Sequence, residues 1–560
     1  MADIELKDIE EKEQEFSELF TRMDADKALV FLEAFQMKSL KTGVALKRVD
    51  NVTLPDPAIF VGRVMGLLSS ADPQTEVEGE ELSDKETTLV EDFLAAMAYE
   101  IDSRLIKLGR TPLFRFCVGQ ACLRGYLITR NCLRALGDML IPDVLPCDAR
   151  FVTYEVGMDG YVWVANKTTR SKAMIQAEYK KEIQTATETV WDFWDAKVNR
   201  IWIGREEAKQ QRNPYGYPPF TIVEAPTGLH LGDSDAKAHR GESLLSLSRT
   251  VYPYLNQIMT IYLTRGRQVL RPGMQYASDE GEASQRPKQL EEHPADTDVI
   301  TPVEKGGGYL PVNQVGVDAS IQLAWNVLDS RKQEGSLSQT DYGNLQFPLS
   351  SLALGRLMEQ HNQITLPVLQ ALAISAQQNM EMWISQYKML KRAFKLGETG
   401  HKKSFQPGSL EGDFTIKQRY FASSPEMDMA NYATAAAAGN MISDDRKRRD
   451  IIKLKDPDGE MTKIRSEQAE KLDPAIALYR QMHDLIDEGK NAEAWLTLES
   501  LKMTLRTRFQ AALPAAAQNI PAPAEVTQQP MNPEIIQKGG QGRGPQQNQQ
   551  LLEAQRGKAA

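Results

Sequence analysis

Apolar positions recur at spacings of three and four through much of the chain, and the places where this period changes divide it. Between Thr88 and Leu108, the residues Leu89, Phe93, Leu94, Met97 and Ile101 form one stripe, as in a helix with a single buried face. The pattern runs on over residues 113–140, so the first 140 residues or so read as helical. From about 148 the chemistry becomes that of strands. ARFVTYEV and YVWVANKT are rich in β-branched and aromatic residues, and Gly157-Met158-Asp159-Gly160 between them is a hairpin signal. A helix is predicted over 171–196 and a third strand at NRIWIGR. Asn213-Pro214-Tyr215-Gly216-Tyr217-Pro218-Pro219 then forms a proline-braced turn into the strand Phe220-Thr221-Ile222-Val223.

A strong helix is predicted over 241–270, with Leu244, Leu247, Val251, Leu255, Ile258, Tyr262 and Leu263 as its apolar face and Pro253 as a possible kink. After Arg271-Pro272-Gly273 come about 45 residues rich in Gly, Pro, Asp and Glu, with short strand candidates at 297–303 and 309–312. A helix over 319–332 follows, then a stretch at 335–348 with two glycines, a proline, one acid and no base. Ser350 or Ser351 caps the longest helical run, which reaches about Phe394 with Pro367 inside it. A β-rich patch at 413–421 and helices over 444–454 and 474–508 complete the ordered part. Beyond about Ala512 the chain is Pro, Ala, Gln and Gly, a composition unable to offset its ordering entropy. The predicted class is mainly α with β-rich insertions (α+β).

Composition narrows the function classes. A chain of 560 residues with 41% hydrophobic and 25% charged residues can bury a large core without staples. Its net charge of −10 argues against static high-affinity DNA binding, which relies on Lys and Arg displacing counterions, but not against a protein that DNA slides past. Cys117, Cys122, Cys132 and Cys147 form no CxxC pair and read as reduced, buried, small core residues. The acidic opening MADIELKDIEEKEQEF predicts no secretory signal, and no apolar run is long enough to span a membrane.

Three motifs come close to known chemistry without reaching it. Gly397-Glu398-Thr399-Gly400-His401-Lys402-Lys403-Ser404 resembles a P-loop, but Lys402 stands where the second glycine belongs and a helix rather than a strand precedes it. In Asp456-Pro457-Asp458-Gly459-Glu460 the glycine comes too early for a calcium loop, so a plain turn is expected. His230 and His239 lie near Asp233 and Asp235 in a loop that reads as solvated. No nucleophile elbow is present. With no catalytic residues, no metal ligands and no cofactor indicated, the pattern points to a structural or conducting protein rather than an enzyme.

The order of elements from 213 onward resembles the portal protein, or head–tail connector, of tailed bacteriophages, and short-tailed-phage portals in particular. The residues that carry the resemblance are Pro214 to Val223, Gly241-Glu242-Ser243-Leu244-Leu245, Tyr254-Leu255-Asn256-Gln257 and, further on, Gly439-Asn440-Met441-Ile442-Ser443 with Asp456-Pro457-Asp458. It covers roughly 90–510, and the first 85 residues have no counterpart in it. It implies a helical wing region at 1–145, a β-rich wing region at 146–240, a first stem helix at 241–270, a clip at 271–316 and a second stem helix at 317–334. A tunnel loop at 335–350, a long wing helix at 351–396, a β-containing wing region at 397–440, crown helices at 441–512 and a disordered tail at 513–560 complete the layout.

By the same resemblance the chain forms a homo-oligomeric ring of about twelve subunits at one capsid vertex, through which the genome is packaged and ejected. Its partners would be the terminase large subunit, head–tail adaptor and tail proteins, major capsid and scaffolding proteins, and double-stranded DNA in transit, with no membrane. It would reside in the virion after assembly in the host cytoplasm. Gln339, Thr340, Asp341, Tyr342, Gly343, Asn344 and Gln346 would face the DNA, and Glu291 and Glu292 in the clip would dock partners. Arg249, Arg265, Arg267 and Arg271 are the candidate bases of the first stem helix, for subunit interfaces or discrete rings. About twelve copies carry about −120, and walls of that sign repel phosphate and reduce sticking. The alternatives are a phage enzyme with an unrecognised nucleotide or metal site, and a helical internal virion or scaffold protein. The scaffold would lack the β-rich insert between stem helices.

Overall fold

The computed structural model describes residues 4–47, 49–80, 82–225, 232–233, 236–270, 274–277, 308–311, 318–336, 351–421, 425–454, 457–487 and 490–512. Two helices, α1 (Leu6–Glu15) and α2 (Ser17–Val30), are followed by a turn-containing stretch over 31–47 with an antiparallel bridge between Lys38 and Ala45, and by a segment without helix or strand over 49–55. Then come α3 (Asp56–Ser69), β1 (Asp72–Glu78), α4 (Asp84–Lys107) and α5 (Leu113–Arg124). The α4 stripe is as expected: Phe93, Leu94, Met97 and Ile101 are buried and Leu89 packs beside them. Ser83 and Glu86 form a reciprocal capping box at its start, which satisfies two otherwise orphaned N–H groups.

The helical reading of 113–140 fails at Gly125. There α5 ends on a left-handed glycine, φ +72°, and the chain becomes β2 (Tyr126–Leu136) and β3 (Met139–Cys147), joined by the turn Gly137-Asp138. Strand β2 is buried along both faces for most of its length, so it shows no alternation, and a doubly buried apolar run cannot be told from a buried helix by period. All four cysteines are buried and unpaired, as expected. Burial pushes the thiols of Cys117, Cys132 and Cys147 up to about 12.

Next come β4 (Val152–Gly157), β5 (Gly160–Ser171), α6 (Lys172–Tyr179), β6 (Thr187–Asp195), β7 (Val198–Ile203), β8 (Glu206–Arg212) and β9 (Phe220–Glu224). The hairpin at Gly157–Gly160 is present, with Met158-Asp159 at its tip. The helix expected over 171–196 is only the eight residues of α6, because Val190-Trp191-Asp192-Phe193-Trp194 is spent on β6 at the middle of a five-stranded antiparallel meander, β4-β5-β6-β7-β8. Trp163, Trp191, Phe193 and Trp202 of this sheet pack around Ile9 of α1. Strand β9 crosses back to pair with β2, giving the sheet β3-β2-β9.

The remainder is α7 (Val251–Leu270), β10 (Met274–Ala277), β11 (Gly308–Pro311), α8 (Asp318–Glu334), α9 (Ser351–Leu390), β12 (Phe394–Leu396), β13 (Lys403–Phe405), β14 (Thr415–Phe421), α10 (Pro425–Ala437), α11 (Asp444–Arg446), α12 (Pro457–Leu472), α13 (Pro474–Asp487) and α14 (Asn491–Ala512). Four expectations are corrected here. Helix α7 begins at Val251 rather than Gly241, so Pro253 sits in its first turn, where proline is tolerated, and causes no kink. Helix α9 stops at Leu390, and Phe394–Leu396 is a strand. Pro457 opens α12 instead of lying in a turn. The P-loop look-alike is preceded by strand β12 rather than by a helix, yet it leads into β13 and not into a helix N-terminus, so its rejection as a phosphate loop stands. Strand β14 pairs with β1 over its whole length, closing sequence separated by more than three hundred residues.

Two compact units result, residues 1–463 and 464–560. In the second, α13 and α14 pack together on Ala475, Ala494 and Leu501, with Arg508 paired to Asp473 at 2.7 Å.

Candidate functional site

The Gly241-Glu242-Ser243 motif lies where the chain leaves the β3-β2-β9 sheet and turns toward α7, and each of its residues has a distinct task. Gly241 is left-handed, φ +58°, and a Cβ there would sit 2.4 Å from both the Gly125 carbonyl oxygen and the Tyr126 ring. The reverse approach is tighter: a Cβ on Gly125 would be 2.0 Å from the Gly241 carbonyl oxygen. Two glycines therefore let two backbones touch. The join is sealed by Leu244 N–H donating to the Cys122 carbonyl at 3.0 Å and Ala225 N–H to that of Gly125 at 2.8 Å.

Glu242 and Ser243 make the polar contacts. Glu242 accepts from Arg22 at 3.0 Å and from Arg249 at 2.6 Å. Asp26, 1% exposed, takes Arg249 through both oxygens at 2.6 and 3.0 Å, and Ser243 donates to it at 2.8 Å. Arg22 also donates to the carbonyls of Ala238, Arg240 and Gly241. Burial works against the Arg249 charge, but its hydrogen bonds to Asp26 and Glu242 outweigh that and hold it above the ordinary arginine range. Burial lowers Arg22, with Glu242 opposing. Two acids and two arginines in fork geometry make a static clamp between α2 and the foot of α7.

Helix α7 is held along one side by an extended strap. Asn256, Thr260 and Thr264 stand at successive four-residue steps and accept from the backbone N–H of Leu54, Val52 and Asp50 at 2.9–3.0 Å. The match is geometric: four helical residues rise about 6 Å and two extended residues about 6.6 Å, so a helix row meets every second strand amide. The intervening side chains face the other way, where Thr53 and Asn51 accept from Phe35 and Met37 N–H. Thr260 is fully buried. Thr260→Val keeps the shape and strands the Val52 N–H, so it should destabilise the unit by about 1–3 kcal/mol. Urea denaturation measures it, and an unchanged midpoint would show that the strap contributes nothing.

Helix α8 packs on α7 and runs antiparallel to it, since β10 follows α7, β11 precedes α8 and the two strands pair from Met274↔Pro311 to Ala277↔Gly308. Near its end Lys332 pairs with Asp56 at 2.7 Å and Asp329 at 2.6 Å. Helix α9 is bolted to β2 and β9 by buried polar groups. Asn379 accepts from Asn131 at 2.7 Å and Thr221 at 2.6 Å, Trp383 donates to the Asn131 amide oxygen at 2.8 Å, and Gln386 caps the Asn131 carbonyl and the Leu133 N–H.

Of the basic candidates, Arg249 lies two residues before α7 rather than along it, and its charge is taken up by Asp26 and Glu242. Arg267 is on α7 and pairs with Asp50 at 2.6 Å; Arg265 is half-buried on the same helix. Arg271, Glu291, Glu292, Gln339, Thr340, Asp341, Tyr342, Gly343, Asn344 and Gln346 lie outside the described residues, as do His230, Asp235 and the strand expected at 297–303. His239 is exposed, 3.9 Å from Glu242. Among the described residues no group of His, Cys, Asp and Glu could hold a metal ion, and no helix is long and apolar enough to cross a membrane. The expected apolar face of 241–270 also divides: Leu255 is buried, whereas Leu247, Tyr262 and Leu263 are exposed. Sequence reasoning missed Arg22, Asp26 and the strap. Asn256, Thr260 and Thr264, small polar residues at four-residue steps, were the available signal.

No family model matches the chain, and no curated protein does. Among solved structures it is similar to the neck of a native GTA particle computed with C12 symmetry, at 12% identity and a TM-score of 0.37, over 76% of this chain and 97% of that one. It is similar to the neck of an empty GTA particle computed with C6 symmetry, at 13% identity and 0.39, over 76% and 97%. The virion of a native gene transfer agent particle gives 12% and 0.38, over 76% and 98%. Likeness this distant leaves function to be argued from the chain's own geometry.

Proposed function

We propose that this chain is a portal protein, the subunit of a ring of about twelve copies through which a phage genome is packaged into the capsid and later ejected. The observation that carries the reading is the unit α7–β10–β11–α8: two helices packed antiparallel and capped by a strand pair, rising from a clamped corner and followed by a forty-residue helix tied to a sheet. That is the stem, clip and wing order expected of a portal. In this reading residues 271–316 are the clip, where Glu291 and Glu292 meet the terminase large subunit and then the head–tail adaptor, and the wing contacts major capsid and scaffolding proteins. The chain belongs in the virion and needs no cofactor.

The first test is mass in solution. Multi-angle light scattering should give particles of about twelve subunits of 62.8 kDa, and a monomer or dimer at every concentration would sink the reading. The second concerns residues 335–350, proposed as the tunnel loop, which contain no Lys or Arg. Asn344→Lys or Gln339→Lys places about twelve positive charges near the duplex, and each neutralised phosphate strengthens binding by counterion release. Packaging should slow or stall, partly recover at higher salt, and leave the ring mass unchanged. Wild-type packaging rates at every salt concentration would remove the loop from the channel.

A further inference from the structure

The geometry points to a ligand site within the first unit: a cavity between α4, α5, α9 and β14 that takes a small amino alcohol, with the ammonium on Asp102 and the hydroxyl on Ser375. The inference goes beyond the ring reading and does not depend on it.

The cavity lies where three helices meet over one strand. Ala98 on α4 and Ala376 on α9 are too small to close it, and about 110 Å³ stays open. At a water's share of about 30 Å³, that is room for about four waters or one ligand of about five heavy atoms. Leu372, Met380 and Cys117 are buried at its floor. Phe114 and Tyr420, stacked with ring centroids 4.7 Å apart, are partly buried and belong to its rim.

Two polar groups on this wall lack what they need. Ser375 is 2% exposed, and its hydroxyl has no hydrogen-bond partner. A serine inside a helix can return its hydroxyl to the preceding turn, and this one does not, so it is left to meet whatever occupies the cavity. Asp102 is partly buried. Among the described residues it accepts from the Leu113 N–H at 2.8 Å and has no ion-pair partner. Burial holds its carboxyl above the usual range, with that N–H opposing. Other polar groups on the wall are engaged. Trp383 donates to Asn131, and the Asn379 oxygen accepts from Asn131 and Thr221.

Charge selects the ligand. None of the residues lining the cavity is basic. The Asp102 charge is felt across it: after burial, that charge helps to hold the Cys117 thiol and the Tyr420 hydroxyl above their ordinary values. An uncompensated carboxylate in such a place is satisfied best by a cation that also donates hydrogen bonds. A bare metal ion would need several oxygen ligands, and the wall offers one carboxylate. An ammonium group meets the need with a single acceptor. Asp102 lies with the partly buried rim and Ser375 with the buried floor, so apolar wall separates the two. A ligand with an ammonium at one end, a hydroxyl at the other and about three methylenes between them fills the volume and answers both groups.

Calorimetric titration of the full chain with propanolamine, which carries a terminal amine and a terminal hydroxyl, tests the site. Two probes of the same size serve as comparisons: trimethylene glycol lacks the charge and n-butylamine lacks the hydroxyl. Propanolamine should bind about tenfold tighter than either. Asp102→Asn keeps an acceptor for the Leu113 N–H but removes the charge, and should bring propanolamine down to the level of the glycol. Ser375→Ala should bring it down to the level of butylamine and leave butylamine itself unchanged. Ala376→Leu fills the cavity and should abolish binding of all three. Equal affinity for the three probes, or binding of none, means a cavity that holds only water and overturns the proposal. Propanolamine binding that survives Ala376→Leu also overturns it, because the site is then elsewhere. The ranking of the probes is read on the wild-type chain, so it decides the question even when a variant fails to fold.

Discussion

Gly125→Ala should destabilise the first unit by about 2–5 kcal/mol, far more than the same change at another left-handed glycine. Two costs add. A side chain at φ +72° carries the left-handed penalty of about 1–2 kcal/mol. The new Cβ also lies 2.0 Å from a backbone oxygen of Gly241, and forcing apart a packed site costs about 1–3 kcal/mol more. Relief requires moving the Gly241 peptide, which Arg22 holds by its carbonyl at 2.7 Å. Gly109 is the control: its φ is +70°, but nothing lies within 4 Å of a Cβ built there, so Gly109→Ala carries only the conformational cost. The two midpoints in urea should differ clearly. Equal midpoints would mean that the Gly125–Gly241 contact is not made in solution.

The same contact shows what a sequence can and cannot convey. Local signals were readable: the Met158-Asp159 hairpin, the α4 stripe, the buried cysteines and the long α9 each follow from neighbours a few residues apart. Strands β2 and β6 were read as helix because tertiary burial on both faces removes the alternation that marks a strand. The Gly-Glu-Ser motif stood out as a motif, but its meaning depends on Gly125, Arg22 and Asp26, more than a hundred residues away. No local period encodes such a partner. Arg249 illustrates the cost of that blindness: by spacing it was one more base on a helix, and only the fold reveals the buried carboxylate that takes up its charge.

Arg249→Ala should cost about 3–5 kcal/mol, because it leaves Asp26 inside the protein with Ser243 as its remaining donor and frees one oxygen of Glu242. The loss is not the worth of the ion pair. It is chiefly the penalty of a charge left in a place that water cannot reach, and this can be separated by experiment. Removing both partners, as in Asp26→Leu/Arg249→Met, takes away the stranded charge along with the attraction, so the double variant should recover most of the stability. Ser243 then loses its acceptor, and Glu242 keeps Arg22. Acid and base should behave differently as well. Arg249 is held above the ordinary arginine range, so its contribution is complete at every pH below that range and is lost only as pH rises beyond it. The clamp therefore stays charged on the arginine side across the whole working range. A double variant as unstable as Arg249→Ala would show that the four-residue cluster holds the foot of α7 through shape alone, and that its charges are incidental.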